Sequence, residues 1–249
     1  MIDLNADLGE TVRGVPTADD EAMFAVISSA SVACGGHAGD AASMRTAVER
    51  AVRLGVALGA HPSYPDRTGF GRLPLVMSPA DLRESVAGQL HALADAGADI
   101  RYVKPHGALY HAAGSEPELA DAVAAAVGDL AARLGRAIPV LGLGDALAEA
   151  ASVAGLPFRR EAFLDRGYRS DGSLVPRGID GALLTDPDLV AARAVRLARY
   201  GEVEAVDGVV VSTDAVSLCL HGDTPAAVTM AHAVHAALTD AGIAVRAPW

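Results

Sequence analysis

Polar and apolar residues alternate along the first strand-like segment of the chain, residues 2–8, which reads IDLNADL. One face of such a strand is apolar, and the other carries Asp3, Asn5 and Asp7. A polar face of this kind either borders solvent at the edge of a sheet or delivers its groups into an active site. The rest of the chain decides between these two interpretations.

Six further apolar segments, often rich in β-branched residues, are separated by longer segments with helical periodicity. With the first segment, the predicted strands are residues 2–8, 30–35, 56–60, 101–105, 138–143, 158–164 and 216–221. This repeated alternation predicts an α/β fold with a mostly parallel sheet, either closed as a barrel or open. No linker or low-complexity segment interrupts it, so we expect a single domain over residues 1–249.

Capping residues mark the ends of several predicted helices. N-caps are predicted at Asp40, Ser78, Ser115, Asp186 and Asp223. Glycines suited to C-terminal caps are Gly55, Gly135 and Gly201. Two long segments rich in proline or glycine, 61–77 and 165–182, fit the alternation poorly. We expect them to be functional loops, because long loops in a compact domain usually are.

Charge and composition exclude several classes of protein. The net charge of −11 makes nucleic-acid binding unfavourable, since no cationic surplus is available to neutralise phosphates. Cys34 and Cys219 are too far apart in sequence for a paired-cysteine metal motif. The longest uncharged stretch, 22–39, is broken by serines and glycines, and no signal peptide is visible. We therefore expect a cytoplasmic protein with no membrane or nucleic-acid partner.

Titratable and polar residues collect at the C-terminal ends of the predicted strands, the edge that builds the site in parallel α/β folds. These residues are Asn5, Asp7, Glu10, His37, Asp40, His61, Asp66, Arg67, Lys104, His106, Asp165, Arg166, His221 and Asp223. This convergence favours the active-site interpretation of the first strand. For Asp40 and Asp223, helix capping is an alternative explanation, and Asp3 can be satisfied within the barrel floor.

Lys104 is the only lysine in the chain, against 19 arginines, which favours a position that needs a compact and pKa-tunable ammonium group; chance is the alternative explanation. A Walker A loop is excluded, because no Gly-Lys-Ser/Thr sequence exists. His37, His61 and His106, together with Asp7, could bind a divalent cation through nitrogen and oxygen ligands. Hydrogen-bonded structural histidines are the alternative, and the sequence leaves a tightly bound metal open.

Six segments resemble the LamB/YcsF family: IDLNADLGE, ACGGHAGD, GAHPSYPDRTGFGR, VKPHGALY, DRGYRSDGSLVPRG and LHGD. They follow the order expected for that family, and the resemblance runs from residue 2 to about residue 242. Members of the family are the A subunits of prokaryotic ATP-dependent 5-oxoprolinases. The resemblance implies a seven-stranded (β/α) barrel related to the glycoside hydrolase/deacetylase barrels.

The resemblance also implies a reaction: the lactam of 5-oxo-L-proline is opened to L-glutamate while ATP, as its Mg²⁺ complex, is hydrolysed to ADP and phosphate. Subunits B and C are the implied partners. In this mechanism Asp7 or His106 is the general base, and Lys104 stabilises the developing oxyanion or the transferring phosphoryl group. The residues expected to bind substrate or nucleotide are Asn5, Glu10, His37, His61, Arg67, Asp165 and Arg166.

Two other functions fit the same residues. One is a self-sufficient, metal-dependent amidohydrolase or deacetylase that works without ATP. The other is a non-catalytic subunit that only binds a ligand, because fold does not determine function.

Overall fold

The seven predicted strands form a closed barrel in the computed structural model, which describes residues 1–249. In chain order the strands are β1 (Asp3–Leu8), β2 (Thr11–Val12), β3 (Val15–Pro16), β4 (Ser29–Ala33), β5 (Ala57–His61), β6 (Ile100–Val103), β7 (Val140–Gly142), β8 (Phe158–Phe163), β9 (Glu202–Glu204), β10 (Val210–Ser212) and β11 (Ser217–Cys219). The order around the barrel is β1-β11-β8-β7-β6-β5-β4. The seven-stranded α/β barrel is therefore confirmed, and the open sheet is wrong.

At least one helix follows every barrel strand in the chain. The helices are α1 (Asp20–Phe24), α2 (Ala41–Leu54), α3 (Pro79–Asp95), α4 (Gly107–Ser115), α5 (Pro117–Leu134), α6 (Asp145–Val153), α7 (Pro187–Tyr200) and α8 (Ala227–Asp240). Two antiparallel hairpins, β2–β3 and β9–β10, lie outside the barrel, and the sequence pattern does not predict them. None of the eight helices combines the length and the apolar composition needed to cross a membrane.

Most of the predicted helix caps are confirmed. The side chains of Asp40, Ser78 and Asp186 accept backbone N–H bonds at the starts of α2, α3 and α7. The caps predicted at Ser115 and Asp223 are wrong. Ser115 is the last residue of α4, and the cap of α5 is Glu116, because Pro117 cannot continue α4. Asp223 lies in a turn before α8, which starts only after residue 226.

Contacts divide the chain into two compact units. The first unit consists of Met1–Ala6, Asp19–Ser29 and Arg160–Pro248, and the second of Asp7–Ala18, Ala30–Arg159 and Trp249. The polar residues of β1 are distributed between them: Asp3 and Asn5 belong to the first unit and Asp7 to the second. A single domain over residues 1–249 stays a prediction.

Every residue of β1 is buried, including the three polar ones. In the first unit β1 pairs in parallel with β11, with Asp3 opposite Ser217. β11 in turn pairs in parallel with β8. A solvated edge strand is therefore the wrong interpretation of the alternating segment, and its polar residues need partners inside the protein.

Asp3 obtains those partners from three serine hydroxyls. Oδ1 accepts hydrogen bonds from Ser28 Oγ at 2.6 Å and Ser29 Oγ at 2.7 Å, and Oδ2 accepts one from Ser217 Oγ at 2.5 Å. Burial raises the pKa of the Asp3 carboxyl, and the three hydroxyl donors oppose that rise. Asp3 is thus the acceptor at the centre of a structural network, as expected for the barrel floor.

We predict that Asp3→Ala lowers the free energy of unfolding by about 2–4 kcal/mol, because the hydroxyls lose their shared acceptor inside the protein. Urea unfolding of the variant and the unchanged chain measures this loss. Asp40→Ala is the matched control, since it removes an exposed capping carboxylate at a cost of about 1 kcal/mol. Equal losses in the two variants would contradict the role of the buried network.

Candidate active site

Four buried polar residues of the second unit meet at the C-terminal ends of their strands. They are Asp7 in β1, His61 at the end of β5, and Lys104 and His106, which follow β6. At most 5% of the surface of each residue is exposed. The sequence analysis places all four at strand ends, and the structure brings them into one cluster.

A buried ion pair joins Lys104 to Asp7. The ammonium Nζ lies 2.9 Å from Asp7 Oδ1, and the other carboxylate oxygen, Oδ2, lies 3.3 Å from His61 Nε2. Removing two such charges from water costs several kcal/mol per ion, so a buried pair is weak support for stability. Its position at the strand ends instead makes it a candidate functional site.

Two backbone carbonyls fix the tautomers of His61 and His106. A carbonyl oxygen can only accept, so His61 Nδ1–H donates to Lys104 O at 2.7 Å and His106 Nε2–H donates to Phe70 O at 3.0 Å. The remaining ring nitrogens, His61 Nε2 and His106 Nδ1, lie 2.9 Å apart. When both rings are neutral, their lone pairs therefore face each other.

His37 and Glu10 form the adjoining part of the cluster. His37 Nε2 lies 3.0 Å from Glu10 Oε1, and its ring stacks on that of His106 with 3.7 Å between ring centroids. Burial, together with the neighbouring imidazoles, holds the pKa of both His37 and His106 well below the ordinary histidine value. Both rings are therefore neutral at neutral pH, and His106 is available as a base.

The loop over residues 62–78 closes onto these rings, and sequence reasoning identified it only as a functional loop. It supplies the Phe70 carbonyl to His106 and places Gly71 against the stacked histidines. A Cβ atom on Gly71 would lie 2.8 Å from His37 Cβ and 3.0 Å from His106 Cδ2. Gly71 also has a φ of +65°, which only glycine adopts readily. The second glycine of the GFGR segment (residues 69–72) thus lets the backbone of this loop lie close to the two histidine rings.

Two arginines that are candidate binding residues also hold loops in place, and their role in binding stays a prediction. Arg67 donates to the carbonyls of Gly35 and Gly39. In the first unit, Arg166 donates to the carbonyls of Val175 and Ala182, within the loop 165–182.

Asp165 is fully buried in the first unit. Its carboxylate accepts hydrogen bonds from His221 Nδ1 at 2.9 Å and from Thr224 Oγ1 at 2.6 Å. Burial alone would raise the pKa of Asp165, but His221 and Thr224 hold it below the ordinary value. Asn5 likewise donates to Ser217 Oγ at 2.8 Å, beside Asp3. These contacts give both residues partners inside the protein, and their role in binding stays a prediction.

We predict that Gly71→Ala destabilises the chain by about 1–3 kcal/mol more than Gly55→Ala does, because it crowds His37 and His106. Gly55 is the matched control: its φ is +70° and nothing lies within 4 Å of an added Cβ, so its substitution measures backbone strain alone. Urea unfolding compares the two variants. The same loss in both would contradict close packing of Gly71 on the rings.

The chain resembles known proteins over its whole length. A Streptomyces avermitilis protein, named as the A subunit of 5-oxoprolinase, is 50% identical over 99% of both chains. A Heliobacterium modesticaldum protein of the same name is 45% identical over 99% of this chain and 97% of that one. A lactam utilization protein from Thermus thermophilus, known from a crystal structure, is 41% identical in sequence to this chain. The two structures match with a TM-score of 0.91 over 99% of each chain. The LamB/YcsF family description matches residues 2–248, and this chain belongs to that family.

Proposed function

We propose that the chain is the A subunit of a 5-oxoprolinase and opens the lactam of 5-oxo-L-proline to L-glutamate. The observation that carries the proposal is the buried Lys104–Asp7 ion pair beside the lone pairs of His61 and His106. The names of the full-length relatives support the choice of substrate: two are named as A subunits of 5-oxoprolinase, and the related crystal structure is that of a lactam utilization protein.

ATP makes chemical sense as the cosubstrate. An amide carbonyl is a poor electrophile, and transfer of a phosphoryl group to its oxygen makes the ring carbon a good one. Water then attacks that carbon, the C–N bond breaks and the nitrogen takes up a proton, which leaves an acyl phosphate. A second water hydrolyses this acyl phosphate and phosphate leaves, so the overall reaction uses two waters and gives L-glutamate, ADP and phosphate.

The cluster offers a separate group for each task. His106, neutral because burial lowers its pKa, or the Asp7 carboxylate takes the proton from the attacking water. The Lys104 ammonium stabilises the negative charge that develops on the carbonyl or phosphoryl oxygens. Glu10, His37 and His61 position the substrate or these reacting groups, while Asn5, Arg67, Asp165 and Arg166 hold the surrounding structure.

We further propose that this protein works in the cytoplasm with subunits B and C and with Mg²⁺-ATP. The naming of the relatives as A subunits supports a multi-subunit enzyme. A cation placed beside developing negative charge, as Lys104 is here, suits phosphoryl transfer whichever subunit binds the nucleotide.

The test is glutamate formation from 5-oxoproline by the purified chain, with and without ATP, alone and with an extract of source cells that lack this chain. We predict glutamate only when ATP and the extract are both present. Lys104→Met should lower turnover about a hundredfold or more, because it removes the charge that stabilises the transition state.

The matched control for this substitution is Arg101→Met, which removes a cation three residues earlier in the chain, in β6, but only a surface pair with Asp99. It should leave turnover unchanged. Near-normal turnover of Lys104→Met would contradict the role of the ammonium. Glutamate made by the lone chain without ATP would favour the metal-dependent amidohydrolase. Binding of 5-oxoproline that is insensitive to Asp7→Asn and Lys104→Met would favour a non-catalytic subunit.

A further inference from the structure

The proposed substrate carries a carboxylate besides its lactam. In 5-oxo-L-proline this group sits on the ring carbon that flanks the nitrogen on the side away from the lactam carbonyl. A carboxylate leaves water at a high cost unless a cation or several N–H donors receive it. The Lys104 ammonium lies 2.9 Å from Asp7 Oδ1, and its charge is assigned to the reacting oxygens. A second cation is therefore expected to receive the carboxylate of the substrate.

Two arginines of the loop that covers the histidines bring positive charge to the site. Burial is the main cause of the low pKa of His37, and the charges of Arg72 and Arg67 lower it further. The two terminal nitrogens of Arg67 are directed at the loop backbone: Nη1 donates to Gly35 O at 2.7 Å and Nη2 to Gly39 O at 2.8 Å. Arg72 is therefore the better placed of the two to receive a ligand.

The phenyl ring of Phe70 connects Arg72 to the stacked histidines. The guanidinium carbon of Arg72 lies 4.9 Å from the centroid of this ring, a cation–π distance. The same ring contacts His37 and His106, with 5.2 and 5.6 Å between centroids. The backbone of Arg72 is also close, because a Cβ atom on Gly107 would lie 3.7 Å from Arg72 Cα. Both ends of the Arg72 side chain are thus placed beside the cluster.

The backbone before Arg72 turns through two left-handed residues. Phe70 has a φ of +55° and Gly71 a φ of +65°, and the first is unfavourable for a residue with a Cβ atom. Phe70 O accepts a hydrogen bond from His106 Nε2 at 3.0 Å, and Gly71 O accepts one from Ala108 N at 2.9 Å. Such strain persists where surrounding contacts determine it, and it clusters at ligand sites. The turn therefore fixes the backbone of Arg72 relative to His106.

We propose that the Arg72 guanidinium binds the carboxylate of 5-oxo-L-proline and thereby selects lactams that carry this group. This assignment rests on the proposed function, which supplies the substrate. A guanidinium has five N–H donors and can bind a carboxylate with two parallel hydrogen bonds, which an ammonium cannot do. It can therefore hold the substrate and keep contacts to its own protein. Arg72 is exposed, so a ligand reaches it without disturbing the buried cluster.

Arg72 and Lys104 then have different kinetic roles. The carboxylate does not change during ring opening, so its contact with Arg72 is equally strong in the ground state and in the transition state. Loss of such a contact raises KM and leaves kcat nearly unchanged. Lys104 faces charge that develops only during the reaction, so its loss lowers kcat.

The test measures KM and kcat for 5-oxo-L-proline in the assay with ATP and the extract that lacks this chain. The proteins compared are the unchanged chain, Arg72→Met, Arg72→Lys and the control Arg83→Met, which removes an exposed arginine paired with Asp129 on the surface. The second ligand is 2-pyrrolidinone, the same lactam without the carboxylate, and its inhibition constant is measured for each protein. Circular dichroism verifies folding.

We expect Arg72→Met to raise KM about ten- to a hundredfold with kcat nearly unchanged, because two charge-assisted hydrogen bonds are lost. Arg72→Lys should recover part of the affinity, since it keeps the charge but not the paired geometry. Arg83→Met should behave like the unchanged chain. The inhibition constant of 2-pyrrolidinone should be the same in all four proteins, because this ligand has no carboxylate to lose.

An unchanged KM in Arg72→Met would overturn the proposal. An equal loss of affinity for 2-pyrrolidinone would also overturn it, because Arg72 would then only support the structure of the site. A fall in kcat alone would contradict the assignment to binding. If the unchanged chain makes glutamate and Arg72→Met keeps its KM, the carboxylate contact fails alone. If the unchanged chain makes no glutamate under any condition, the proposed function fails and the contact fails with it.

Discussion

Two hydrogen bonds to backbone carbonyls set the chemistry of the second unit. Lys104 O and Phe70 O each accept the single proton of a neutral imidazole, so His61 and His106 turn their lone pairs toward each other. One carbonyl belongs to the segment after β6 and the other to the loop 62–78, so strand and loop together determine the tautomers. The convergence of the two imidazole lone pairs follows from this constraint.

Asp3 and Asp7 show how one strand can serve two purposes. Asp3 is surrounded by three hydroxyl donors, which satisfy it without another charge. Asp7 is held by an ammonium group and an imidazole, partners that can change their charge or move a proton. A buried Lys–Asp pair is costly to desolvate, so its retention at the strand ends is more consistent with chemistry than with stability. Lysine suits this position because its compact ammonium bonds Oδ1 of Asp7 while the imidazole of His61 lies beside Oδ2.

The hydrophobic segments and capping residues, which are local signals, predicted a mostly parallel α/β fold but left a closed barrel and an open sheet both possible; only the family resemblance implied the seven-stranded barrel. The sequence also placed Asp7, His61, Lys104 and His106 at strand ends, since the C-terminal edge of a parallel barrel collects such residues. It could not show that the free ring nitrogens of His61 and His106 face each other, because tautomers and ring directions depend on tertiary contacts. Nothing in the sequence indicated that the Phe70 carbonyl contacts His106, because every residue has a backbone carbonyl. Nothing indicated the Asp165–His221 pair either, because the two residues are far apart in the chain.

The most direct measurement of the central claim is ¹⁵N NMR of the chelator-treated chain labelled at histidine, at a pH about two units above the ordinary histidine pKa. The account predicts that neutral His61 carries its proton on Nδ1 and neutral His106 carries its proton on Nε2. The opposite tautomer in either ring would direct an N–H at the other imidazole. The two nitrogens would then form an ordinary hydrogen bond, and the converging lone pairs on which the site depends would not exist.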